Sequence, residues 1–153
     1  MKQFAFTLEK VLRFKRETLD LLKNELEQLR FRQREIEQSI ESINNEFHSY
    51  NCTLTEKMRN GMDPRSIAVY KRYFGELNRQ GKQLQEQRGK ALLAVEDKQR
   101  EIVQMNSDIS GLERIRDKQL QEYLAKDRKE QEQFIEEFVG RADAACLTGV
   151  RAV

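Results

Sequence analysis

The chain has 153 residues, of which 38% are hydrophobic and 35% charged, against about 45–50% and about 25% in an ordinary globular domain. One proline, seven glycines and no tryptophan exclude a thick core and a loop-built active site, both of which need more apolar mass and more turn formers. The 28 basic and 26 acidic side chains leave a net charge of +2, which by itself selects neither nucleic acid nor an anionic surface as partner. The two cysteines, Cys52 and Cys146, do not make a disulfide framework and fit a cytoplasmic protein with reduced thiols. No leader peptide and no apolar run of membrane-spanning length is expected, so any membrane association is peripheral and through other proteins.

The first element is a helix over about residues 7–59, with Thr7 as N-cap and Phe6 as the hydrophobic residue ahead of it. Its apolar side chains recur at a three-four spacing: Leu8, Leu12, Leu19, Leu22, Leu26, Leu29, Ile36, Ile40, Ile43, Phe47, Tyr50 and Leu54, interrupted only by Lys15 and Gln33. A repeat averaging 3.5 residues keeps its stripe turned toward one partner when helices wind around each other. The stripe is narrow, so one second helix suffices to cover it.

A break follows over residues 60–63. Gly61 suits the left-handed conformation that ends a helix, and Asp63 before Pro64 is the N-cap and first-turn pair that starts another. Such a short connection makes the helices antiparallel neighbours. The second helix, expected over about 64–139, repeats the spacing at Ile67, Tyr70, Phe74, Leu77, Leu84, Ala91, Val95, Ile102, Met105, Ile109 and Leu112, with Gly81, Arg88 and Lys98 as exceptions. A turn centred near Met62 places Phe47 opposite Leu77, Ile40 opposite Leu84, Leu19 opposite Met105 and Leu12 opposite Leu112. Arg88 and Lys98 then lay their stems on the seam and send their charges to water.

The fold class is therefore all-α: two long helices in an antiparallel coiled-coil hairpin, the second longer and overhanging. Residues 1–140 form one hairpin domain, Gly140 closes the second helix, and residues 141–153 are a flexible tail. The first helix ends opposite about residue 120, which leaves an overhang of roughly 30 Å with Phe134, Ile135 and Phe138 uncovered. Phe14 and Leu21 also point away from the seam, one heptad apart, and with Phe134 and Phe138 they make a candidate contact surface.

The sequence offers little chemistry. His48 and Cys52 stand one helical turn apart, but a zinc site needs three or four ligands, so no catalytic residue, metal or cofactor is expected. Residues 65–90 hold seven Lys or Arg and two Glu, a solvated face in a chain with no nucleic-acid module, and no nucleic-acid partner follows.

Phe4-Ala5-Phe6-Thr7-Leu8-Glu9-Lys10-Val11-Leu12, Asn45-Glu46-Phe47, Met58-Arg59-Asn60-Gly61-Met62, the stretch from Tyr70 to Leu77, and Glu136-Glu137-Phe138-Val139-Gly140-Arg141-Ala142 occur in this order. In these segments the chain resembles the FliJ family of flagellar type III export proteins, which is similar to the gamma-subunit stalk of rotary ATP synthases. The resemblance implies a non-enzymatic, cytoplasmic protein, peripheral at the membrane at the flagellar base and monomeric on its own. It implies binding to the hexameric export ATPase FliI, to the export gate FlhA and to export chaperones. Carried onto this sequence, the ATPase end comprises Phe4, Phe6, Leu8, Arg13, Glu137, Phe138 and Arg141, beside the surface candidates Phe14, Leu21 and Phe134. The gate-binding region comprises Ile36, Ile40, Ile43, Phe47, Tyr73 and Leu77. The alternative is a structural coiled-coil scaffold, or the corresponding stalk of a virulence injectisome.

Overall fold

A computed structural model describes residues 2–151, and two helices carry nearly all of them: α1, Glu9–Arg59, and α2, Pro64–Arg151. There is no strand among the described residues, and the fold is an all-α helical hairpin. Thr7 and Leu8 form a turn ahead of α1, closed by the Glu9 amide donating to the Phe6 carbonyl at 3.1 Å. The regular helix thus begins two residues after the expected start, a shift within the usual fraying of helix ends.

The reversal works through the residues that the sequence singles out. Gly61 takes a φ of 88°, a left-handed conformation that a Cβ would strain. Its amide reaches the Met58 carbonyl at 3.3 Å, satisfying one of the acceptors orphaned at the end of α1. Asp63 then caps α2: its side-chain Oδ1 accepts from the Arg65 amide at 3.3 Å, and its carbonyl accepts from Ser66 at 3.0 Å. Pro64 sits at the first helical position, where no donor is needed.

Packing divides the chain into two compact units, one formed by Thr18–Gln104 and the other by the chain up to Glu17 together with Met105 onward. In the first, the core is Leu19, Ile36, Leu77 and Val95; in the second it is Phe6, Leu12 and Ile109. Leu12 alone is fully enclosed, at 0% exposure. The expected register is visible inside the first unit. A Cβ built on Gly81 lies 4.0 Å from Ile43 Cγ2, the Phe47 and Phe74 rings are 4.9 Å apart, and Tyr50 meets Phe74 at 6.3 Å.

The seam cations are held more closely than the sequence suggests. Lys98 does not simply reach water: its Nζ donates to Glu25 at 2.7 Å across the helices and to Glu101 at 3.3 Å along its own. Arg88 Nε lies 3.5 Å from Glu37, close enough to pair its charge but without a hydrogen bond for that buried nitrogen. In the other unit Lys15 Nζ is 3.0 Å from Asp108.

One boundary differs. α2 does not close at Gly140 but continues to Arg151, and Gly61 is the only described glycine with positive φ. A glycine inside an exposed helix costs about 1 kcal/mol relative to alanine, too little to stop a run followed by Ala142, Ala144, Ala145 and Leu147 with no proline. The expected tail is therefore helical as far as Arg151, and its last two positions lie outside the described residues.

Leu12→Ala is expected to destabilise the chain by about 2–5 kcal/mol, measured by urea denaturation followed by circular dichroism. Lys98 carries a pH signature as well. The Glu25 carboxylate, by hydrogen bonding, raises its pKa above the ordinary 10.5. A raised lysine stabilises the fold fully below its unfolded pKa and loses that contribution as pH climbs through the folded value. Thermal stability should therefore fall above pH 10.5 in the wild type with a component that Lys98→Met removes.

Candidate partner-binding surfaces

In the unit Thr18–Gln104 the seam has a gap where Gly81 contributes no side chain. The result is an open groove of about 540 Å³, with Ile40, Ile43, Phe47 and Leu77 on its floor and Asn44, Asn78, Lys82, Gln85 and Glu86 around it. An apolar floor within a polar rim is the pattern of a protein-contact site. These four floor residues belong to the expected gate-binding set, and the fold brings them together. Leu77 is only 4% exposed and Phe47 43%, so contact with Leu77 is through the groove rather than on an open face.

Tyr73, also in that set, sits in an aromatic cluster toward the turn. Tyr50 stacks on it at 4.2 Å and on Tyr70 at 5.5 Å, and the Tyr73 hydroxyl donates to the Glu46 carboxylate. Lys57 donates to the Tyr70 hydroxyl at 2.9 Å, a bond that raises the lysine pKa. Ile36 stands apart from the groove, 8% exposed, beside a smaller hollow shared with Leu29, Ala91 and Ala94. Tyr50, Tyr70 and Phe74 join this cluster without standing among the expected site residues, although aromatics at seam positions on both sides of a turn are a legible signal.

In the other unit the chain start is tied down. Phe4 meets the Tyr123 ring at 5.6 Å, and the Tyr123 hydroxyl donates to the Lys2 carbonyl at 2.8 Å. Phe6, expected among the contact residues, is 8% exposed and serves the core; the segment before α1 is not helical, so spacing could not tell its facing. Leu8, Arg13 and Phe14 are exposed, as is Leu21 in the first unit. From residue 128 to residue 149 every side chain is exposed. Phe134 at 70%, Ile135 at 59%, Phe138 at 66% and Val139 at 50% form one apolar strip, with Glu137 and Arg141 beside it. At about 100° per residue, Phe138 lies about five full turns beyond Leu120 on the same azimuth, so the strip prolongs the seam past its covering segment.

Cys52 Sγ and His48 Nε2 are 3.9 Å apart, and among the described residues no cluster of three or more ligating side chains exists. The basic run is partly neutralised, since Arg79 pairs with Glu76 at 2.6 Å and Arg88 with Glu37. No helix among the described residues is long and apolar enough to cross a membrane.

A family model described as Flagellar FliJ protein matches residues 4–143. The chain belongs to the FliJ family. The match spans both ends of the hairpin and the turn, and it marks the protein as flagellar export-related. No curated protein and no solved structure gives a match.

Gly81→Ala tests the origin of the groove. Its Cβ would lie at an ordinary contact distance from Ile43, so the variant is expected to gain about 1 kcal/mol from helix propensity while narrowing the groove. A raised midpoint in thermal denaturation checks it; a lowered midpoint would mean that the backbone there does not accept a side chain.

Proposed function

We propose that this protein is the two-helix stalk of a flagellar type III export ATPase. Its free α2 end docks in or near the central pore of the hexameric ATPase FliI, and its groove around Gly81 engages the export gate FlhA. The observation that carries the reading is the uncovered apolar strip Phe134–Val139, which continues a seam whose partner segment has stopped. Apolar side chains held exposed on one helical face are the feature that a docking site requires. Arg141 and Glu137 beside the strip supply polar contacts at its rim.

A hairpin of two unlike helices has no rotational symmetry, so it meets each subunit of a ring with a different face. Binding energy that differs between subunits biases their conformations differently. The stalk thereby promotes ring assembly and coordinates the nucleotide sites, and through the gate contact it links hydrolysis to export at the cytoplasmic face of the membrane. Empty export chaperones are further partners in this reading. The supporting features are the family match over residues 4–143, the apolar strip, and the groove floored by Ile40, Ile43, Phe47 and Leu77.

The chain truncated after Leu124 should retain the helicity of both hairpin arms by circular dichroism yet lose stimulation of the ATPase. Undiminished stimulation would reject the assignment of ends. Phe47→Ala should instead leave stimulation intact and weaken binding of the gate's cytoplasmic domain.

A further inference from the structure

We infer that the turn end of the hairpin is a docking surface for an anionic lipid membrane, touching the lipid itself rather than being held there by other proteins alone. The near-neutral total charge hides a local excess. From Lys57 to Gly75 stand five basic residues, Lys57, Arg59, Arg65, Lys71 and Arg72, and one acid, Asp63, whose carboxylate accepts from the Arg65 amide as a helix cap. Farther along the same unit several cations are paired: Arg79 with Glu76, Arg88 with Glu37, Lys98 with Glu25 and Arg100 with Glu96. At the turn, Arg59, Arg65, Lys71 and Arg72 are exposed and make no ion pair among the described residues. Lys57 and Arg59 complement the negative end of the α1 dipole, but the first turn of α2 holds no acid, and the positive end of its dipole opposes Arg65. Arg65 therefore serves something other than the helix that carries it.

The turn end is apolar as well as basic. Val69, 65% exposed, stands between Arg65 and Arg72 on one face of α2, and Met58, 51% exposed, stands beside Arg59 at the end of α1. Lys71 and Arg72 lie about 10 Å along the helix from Arg65, which is about one Debye length at about 0.1 M salt. A plane touching the turn therefore draws on all five cations at once. An acidic protein segment would follow a single face, whereas Lys71 stands about 100° around the helix from Arg72 and Arg59 is on the other helix. Cations spread in this way, with apolar side chains between them, match a membrane surface, where negative charge is continuous and hydrocarbon lies just beneath. Each basic residue near such a surface strengthens attachment about fivefold, so four net charges bring half of the chain onto vesicles at about 1 mM lipid. This inference stands apart from the ATPase and gate readings, because its test contains only the purified chain and lipid.

Vesicles of phosphatidylglycerol and phosphatidylcholine in equal parts should carry the full chain down on centrifugation, and vesicles of phosphatidylcholine alone should leave it in solution. Arg65→Gln with Lys71→Gln and Arg72→Gln should weaken attachment about a hundredfold. The same variant should keep the circular-dichroism spectrum and keep or raise the thermal midpoint, since no ion pair is lost. Because the chain has no tryptophan, Val69→Trp reports the turn end by itself, and its emission should shift to the blue on the anionic vesicles alone. A chain that the anionic vesicles leave in solution overturns the proposal and assigns the cations to an acidic protein. So does equal attachment to both kinds of vesicle, an emission that does not shift, or attachment that survives the triple substitution and so belongs elsewhere on the chain.

Discussion

The apolar seam between the two helices is the constraint on which everything else depends. A two-helix arrangement covers only one side of each helix, so the core never becomes deep: of its members only Leu12 is fully enclosed, and Leu19, Ile36, Val95 and Ile109 keep 8–9% exposure. Each such residue contributes less than it would at the centre of a globule. Stability therefore accumulates along the length of the seam. A gap at one position, such as Gly81, is tolerated because the neighbouring layers Ile40, Ile43, Phe47 and Leu77 still hold the helices together. The same tolerance lets the fold keep an open apolar groove in its middle without coming apart.

The polar residues on the seam act on register more than on stability. An exposed ion pair contributes about 0–1 kcal/mol, so Lys98 with Glu25 or Lys15 with Asp108 adds little to the free energy of folding. Sliding one helix past the other would strand these charges against apolar side chains, a cost that the alternatives carry and the native alignment avoids. Arg88 shows the limit of this device. Its charge is balanced by Glu37, yet its buried Nε lacks a hydrogen bond, so this layer accepts a small loss to hold the alignment.

How much of this is legible in the sequence follows from which features are periodic. The helices, the turn at Gly61 and Asp63, and the pairing of Ile43 with Gly81 follow from spacing because every turn of the helix repeats the same information. Phe6 lies before the first regular turn, so no period assigned it to the core. Gly140 has the character of a terminator because glycine often ends helices, but an exposed glycine followed by alanines does not outweigh a helix already propagating. The groove is a three-dimensional property: the sequence displays the missing side chain at Gly81, whereas the failure of its neighbours to close over the space has no periodic signal. Phe47 and Tyr50 occupy seam positions yet keep 43% and 38% exposure, since large rings stacked near the turn project beyond the width of the stripe.

The end of α2 poses a different problem, because there the period is intact and the partner is missing. Phe134 and Phe138 keep the azimuth of Leu120, so whatever covers them must present apolar side chains to a helix at the spacing that α1 uses elsewhere. A partner meets that demand only with an apolar groove of its own, shaped to a single helical face.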